Sequence, residues 1–588
     1  MTDRTRDSDD HAPVIRLLSS SAVLARDGCP THRRTRADHA VRRDPALRPP
    51  PLAGSPLALL DAVLDLVEHR GLTVEDACSQ LPGPGPGRRS LDVMGERVAP
   101  PHGGLLAWVR HAARAYLDGL SGDRARDGLD RAPVPDFWVR QYLPDRGSSH
   151  SRPYEVCARG RGYAYRDGAH RVRELRVPLL GPAGDRRLPD AEVAVAAYVL
   201  ATGAGVDRDV YASRPDRYRH GVPYPMRGRL GGSTADREPP DRVRVVQASC
   251  LDSSTAVLYE STAAEAEQFF AAVGREGLRS ALVGGARSPG TDCLSCGVRS
   301  GCGRLPAAPG ILGVHDSTRP RRSWSVADGL RFRGCPARHH FHTLGLPGDP
   351  PEGSAPGEPS ASRRDGAVRA WLRRLHGRQP RRACGPEDLP GDHGSWGAGG
   401  WELSGGEARL GAAMLAAHVG VCPLVGLRSG SHARVGRTVA ADDTRADVLV
   451  LARPDLLLHR GGSWCYRDIG TTTGDLPSDE RGLMVREPAL ALAVLLFAFG
   501  VLPLEAGSAV ELEVLSPGGA DVRSIDPGSA WARAEARQVV HALAGPWHHD
   551  LRYPPAPGRI CRDCPYRRWC PAPACGAAPG RGPGREGR

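Results

Sequence analysis

The chain has 588 residues, 40% apolar and only 5% aromatic, with 72 glycines and 53 prolines, which gives globular segments separated by long loops. That length allows roughly two to four domains at ~150 to 200 residues each. The net charge of +12 favours an anionic partner, and every one of the 79 basic residues is arginine, so chemistry that needs a lysine ammonium is excluded.

Residues 1–54 are charged and then proline-rich without a sustained period, and disorder is expected there. The opening MTDRTRDSDDHAP lacks an apolar segment. No secretory signal is read from it, and a cytoplasmic location without structural disulfides is expected. From Pro56, LALLDAVLDLVEHRGL repeats apolar residues at helical spacing, and GGLLAWVRHAARAYLDGL repeats them again. Residues 154–180 alternate like short strands. AEVAVAAYVLATG then reads as a helix, RVRVVQASCLD and TAVLYES as strands, and STAAEAEQFFAAVGREGL as a helix.

That helix leads into Cys293, Cys296 and Cys302, a C-x2-C-x5-C knuckle, and the same spacing returns at Cys561, Cys564 and Cys570. Strand, strand, helix, knuckle thus occurs twice, which predicts two related modules. Each knuckle needs a fourth ligand. Before the second, Ser325 and Asp328 fit a capping box on a short helix ending at Cys335-Pro336. Before the first, Cys157 holds the corresponding place in the order. Cys29, Cys78, Cys250, Cys384, Cys422, Cys465 and Cys575 are simplest as buried or incidental thiols. His339, His340, His342, His548 and His549 read as exposed polar residues.

Between Cys335 and the second knuckle stands RADVLVLARPDLLLHRGGSWCYRDIGTTTG, which reads as a β-hairpin turning at residues 460–462. Asp455 and Asp468 could meet across it, and such a carboxylate pair can hold a hard divalent cation that activates a water for phosphodiester attack. His418 lies on an apolar helix upstream. Residues 488–504 are apolar, but short for a membrane span of ~20 residues, and a buried helix is expected.

Pro454-Asp455 followed by Asp468-Ile469-Gly470-Thr471 resembles the PD-(D/E)XK nuclease superfamily, with Gly470 where the motif lysine belongs. The order Cys335, His418, Asp455, Asp468, Cys561, Cys564, Cys570 resembles the RecB-like iron–sulfur nucleases, the group with AddB-type and CRISPR-associated exonucleases. The resemblance implies an α/β, restriction-endonuclease-like mixed sheet flanked by helices over residues 320–573, with a degenerate copy over 55–310 and a flexible tail at 574–588. It implies a [4Fe–4S] cluster on Cys335, Cys561, Cys564 and Cys570, and a second on Cys157, Cys293, Cys296 and Cys302, with zinc as the alternative. Mg²⁺ or Mn²⁺ would sit on His418, Asp455 and Asp468. In the first module the nearest triplet is Glu174-Leu175-Arg176. The expected partner is DNA with a single-stranded end, with no membrane contact. Two functions compete, a metal-dependent nuclease weakened by the missing lysine and a non-catalytic iron–sulfur DNA-binding scaffold; a zinc-bearing interaction protein is the more distant third.

Overall fold

The structure, a computed structural model, describes residues 15–25, 28–38, 41, 55–81, 101–142, 154–184, 187–208, 211, 239–348, 360–426, 432–474 and 479–572. Cys575 and the tail lie outside them. The first half contributes β1 (Ile15–Leu18), β2 (Ala132–Val134), β3 (Asp136–Tyr142), β4 (Tyr154–Cys157), β5 (Arg161–Asp167), β6 (His170–Leu179), β7 (Ala204–Asp207), β8 (Arg242–Ser249) and β9 (Thr255–Thr262). The second contributes β10 (Arg322–Trp324), β11 (Ser395–Ala398), β12 (Trp401–Ser404), β13 (His432–Val435), β14 (Val439–Asp443), β15 (Val448–Ala452), β16 (Leu456–Arg460), β17 (Ser463–Thr471), β18 (Ala509–Ser516) and β19 (Gly519–Ile525).

The expected mixed sheets flanked by helices are present, and the main sheets of the two halves follow one plan. Strand order is β2-β5-β6-β8-β9 in one and β13-β16-β17-β18-β19 in the other. In each, a β-hairpin is followed by one parallel pairing and one antiparallel pairing. The parallel step needs a crossover, and the helices Asp190–Thr202 and Pro488–Ala498 occupy the two crossover segments. Both helices are apolar on most sides because each is buried between the sheet and a further helix layer. Leu490, Leu492, Leu495, Leu496 and Phe497 are all at most 2% exposed, each contributing about 1.5 to 3 kcal/mol by burial. Among the described residues no helix is long and apolar enough to cross a membrane.

Each half also has a short entry strand in a parallel pair, β1 with β4 and β10 with β15. The N-terminal stretch expected to be disordered therefore supplies β1 and the helix Pro30–Ala37. Its low sequence periodicity reflects elements too short to show one.

The predicted hairpin is interrupted in its first arm. Pro454 has no N–H to give a ladder, and at Arg453-Pro454-Asp455 the chain leaves β15, which pairs with β10 and β14, and enters β16, which pairs with β13 and β17. The break sets Asp455 at the mouth of the second sheet.

The halves are interlocked through their knuckles. Cys293 packs with Ala440 and Leu449 of the second half, and Arg299 pairs with Asp442 at 3.2 Å. Conversely Tyr566 and Trp569 join Trp108, Tyr116 and Tyr163 of the first half in one core. At that seam a Cβ on Gly104 would fall 2.6 Å from the Trp569 carbonyl oxygen, so only glycine permits the approach.

Candidate functional site

Asp455 and Asp468 meet as the hairpin reading expects. The Asp455 N–H donates to Asp468 Oδ1 at 3.3 Å, and the Ile469 N–H donates to Asp455 Oδ2 at 2.9 Å. Above them runs the helix Ser360–His376, whose residues 365, 369 and 373 share a face through i, i+4 spacing. Arg369 and Arg373 each reach the Asp455 carboxylate at 2.8 Å, and Asp365 accepts the Thr471 N–H and hydroxyl at 3.1 Å. Burial first, and then the Asp455 charge, push the Asp468 carboxyl up to about 7, with Arg369 holding it down.

These residues do not fit a divalent ion as they stand. An ionised carboxylate offers about four lone-pair directions, and those of Asp455, itself 1% exposed, go to the Ile469 N–H and two guanidinium groups. A cation entering here would have to displace an arginine. Gly470 has open space where a side chain would start, with nothing within 4 Å of a Cβ. Neither Arg467 nor Arg453 supplies the missing lysine's charge. Arg467 turns to the other side of the sheet, onto Glu511 and Glu513 at 2.5 and 3.0 Å, while the Arg453 Nε–H donates to the Gly436 carbonyl at 3.0 Å.

His418 is not at the acids. Fully buried at the end of the helix Gly405–Val419, it bonds Glu513 through Nδ1 and faces His376, their Nε2 atoms 3.1 Å apart. Ile469 and Glu513 are register partners, and alternation along β17 sends Asp468 to the opposite face. The sequence order suggested a ligand, but strand parity placed His418 on the wrong side.

In the first half, β5 and β6 pair Arg161 with Arg176, the register equivalent of Asp455 and Asp468. The local sequences agree, Ala158-Arg159-Gly160-Arg161 against Ala452-Arg453-Pro454-Asp455. The counterpart of Asp468 is thus Arg176, and Glu174 lies two residues too early. Arg161 is paired with Asp65 at 3.0 Å and with Glu68, both on the helix Pro56–Arg70. Arg176 is paired with Glu174 at 2.5 Å and with Asp123. A divalent cation has no place between two arginines.

The second knuckle converges as expected. Cys335, Cys561, Cys564 and Cys570 line one hollow with Arg338, Phe341 and Arg567. The Ser325 capping box is formed, and Cys335 ends one helix and caps the next. At the first knuckle Cys293, Cys296 and Cys302 share their hollow with Cys29, not Cys157. Cys157 lies on β4, buried with Val139 and Val206, because β4 is the counterpart of β15 and not of the entry turn. Cys29 repeats the geometry of Cys335. Each begins a helix with Cys-Pro, and each sulfur accepts, at 3.5 Å, the N–H of the residue five places before its knuckle, Ser288 or Ala556. Burial, with the neighbouring thiols adding to it, pushes the Cys293 thiol up to about 11.

Two further histidines are not exposed as the sequence suggests. His339 is buried and accepts the Trp547 Nε1–H at 3.2 Å. His548 is buried against the Asp316 carbonyl at 2.7 Å, whereas His342 and His549 are exposed. Cys384 and Cys422 are buried, as expected, and gather with His376 and His418. Signals for the missed residues existed. Gly28-Cys29-Pro30 duplicates Gly334-Cys335-Pro336, Asp365, Arg369 and Arg373 have i, i+4 spacing, and so do His418 and Cys422.

Residues 323–571 match the PD-(D/E)XK nuclease superfamily. The second half of the chain is therefore a domain of that superfamily, whose members use divalent metals and act on nucleic acid. No curated protein matches the chain.

Proposed function

We propose that this chain is a nucleic-acid-binding protein made of two PD-(D/E)XK modules, each stapled by a [4Fe–4S] cluster, in which phosphodiester hydrolysis is weakened or lost. The observation that carries the reading is the pairing of Arg369 and Arg373 with Asp455 at 2.8 Å. Guanidinium groups stand where the catalytic cation would bind. The equal strand plan, entry turn and knuckle of the first half support descent from one duplicated module. Its acid positions hold Arg161 and Arg176, so it serves as a platform.

Thiolate donors from four cysteines suit either zinc or iron–sulfur, and spacing favours the second. With Zn–S bonds of ~2.3 Å, a tetrahedral zinc draws its sulfurs to about 3.8 Å apart. Among the described residues the one group of metal-type side chains with all ligand atoms within 4.8 Å of one another is His376, Cys384, His418 and Cys422. The wide x5 spacing of each knuckle and its distant fourth cysteine support the iron–sulfur reading. The clusters, held by Cys29, Cys293, Cys296 and Cys302 and by Cys335, Cys561, Cys564 and Cys570, act as staples between chain segments far apart in sequence.

The ligand is DNA with a single-stranded end, held by arginines, and its affinity falls steeply with salt because each phosphate contact releases counterions. The test uses the anaerobically purified chain, a tailed duplex and Mg²⁺ or Mn²⁺. Wild type binds in a salt-sensitive way and cuts feebly or not at all. Gly470→Lys puts an ammonium beside Asp468 in open space and raises whatever cleavage remains when the added cation displaces an arginine from Asp455, by up to the order of 10²- to 10³-fold, the worth of one transition-state charge stabiliser, unless Asp455→Ala is added. A second reading, an active nuclease with Arg369 as the positive group, draws on its contact with Asp455 and its influence on Asp468. Robust cleavage by wild type that Arg369→Ala abolishes would establish it and overturn the first.

A further inference from the structure

The acids and the two cysteine hollows leave one buried set of reactive side chains unused. His376, at the end of the helix Ser360–His376, Cys384, in the loop after it, and His418 and Cys422, across the end of the helix Gly405–Val419, bring their ligand atoms within 4.8 Å of one another. All four are at most 6% exposed. From His376, His418 and Cys422 we infer, with Cys384 as the fourth donor, a closed Cys2His2 site for one zinc ion, separate from the acid pair and from either cysteine hollow.

Three observations point to a cation. The Nε2 atoms of His376 and His418 face each other 3.1 Å apart, close to the ~3.3 Å that two Zn–N bonds of ~2.0 to 2.1 Å impose in a tetrahedron. Cys422 Sγ lies 3.9 Å from His376 Nε2, near the ~3.5 Å expected for a mixed sulfur–nitrogen edge. Finally, the other nitrogen of His418 is held by Glu513, whose second oxygen takes Arg467 at 3.0 Å. A carboxylate behind a ligating imidazole fixes its tautomer, leaving Nε2 free to bind metal.

The charges close. Two thiolates and two neutral imidazoles balance Zn²⁺, and Glu513 is partnered by Arg467, which it shares with Glu511. Loading releases two protons from the four ligands to solvent. Soft sulfur with imidazole in a tetrahedron selects zinc over magnesium or calcium. With four protein ligands and no open position the ion is structural. It ties the helix bearing Arg369 and Arg373 to the helix bearing His418, so it sets the height of the arginines over Asp455.

The test is metal analysis of the full-length chain from zinc-replete cells. One zinc per chain is expected beyond any iron, released by a thiol-blocking mercurial. Cobalt(II) exchanged into the wild type should give the visible bands of a tetrahedral thiolate complex. Cys384→Ser and Cys422→Ser should each lose that zinc and keep the iron. Glu513→Gln, which leaves all four ligands, should yield zinc to a chelator 10- to 100-fold more readily. Folded wild type without zinc would overturn the site. So would zinc that survives both cysteine variants, or that is lost only from Cys335→Ala, which would assign it to a cysteine hollow.

Discussion

At equivalent places in two sheets of one plan, the charges are exchanged. In the second module the strands carry Asp455 and Asp468, and a helix brings Arg369 and Arg373. In the first the strands carry Arg161 and Arg176, and helices bring Asp65, Glu68 and Asp123. Attraction between the layers survives the exchange, so the backbone can keep its geometry while the capacity for a metal goes. The layers differ in depth. The Arg176 side chain is completely buried, whereas that of Arg369 is 30% exposed, so the first pairing is structural and the second is one that a ligand could open.

The comparison breaks most severely at the entry cysteines. Cluster binding energy acts as folding energy, so Cys29→Ala and Cys335→Ala should each remove half of the iron and sulfide and leave the chain largely insoluble. Cys157→Ala should keep full iron; its loss there would restore Cys157 to the ligand set and remove the symmetry between the modules. Next in size is the buried pairing. Arg176→Met removes the buried cation shared by Glu174 and Asp123, leaving Arg131 and Arg126 as their partners, and should cost up to about 3 to 5 kcal/mol, whereas Arg369→Met, at a partly exposed pair with Arg373 still in place, should stay within about 1 kcal/mol. Urea midpoints of both would show it, and equal losses would mean that both pairings are structural.

Smallest is a pH effect confined to the second module. The folded Asp468 carboxyl is raised to about 7 from an ordinary 3.8. The folded state therefore holds its proton more tightly, and that stabilisation is lost as pH rises through about 7. Stability should fall by about 2 kcal/mol between about pH 5.5 and about pH 8, and Asp468→Asn should flatten the fall. Arg161 and Arg176 do not titrate in this range, so a slope surviving in the Asn variant would have to come from other groups.

Much of the second module was legible because its signals are local. A hairpin with two acids, a capping box before Cys335 and a knuckle with fixed spacing each lie within a few tens of residues. What escaped depends on the third dimension. That His418 falls behind the sheet follows from strand parity, and that Arg369 falls before it follows from the docking of a helix. In sequence Pro454 is part of a motif, whereas its physical effect is to hand the chain from one sheet to another. Cys29 escapes because it lies among a four-residue strand and an eight-residue helix, too short to mark a module by period. The match of Arg161 to Asp455 needed the register, since its hairpin is longer by a residue on each arm.

The exchange of knuckles between halves bears on how the molecule is made. During synthesis the cysteines of the first hollow are all present once residue 302 has emerged, but the surface that covers Cys293 belongs to β14 and β15. Until those strands appear, the Cys293 side of that hollow, and any cluster loaded there as proposed, would face solvent and oxidants. The second hollow leans on a helix finished long before, Gly103–Asp127, and closes against a wall already standing. Halves produced as separate polypeptides would each display an apolar seat meant for the other, and co-expression should recover what neither yields alone.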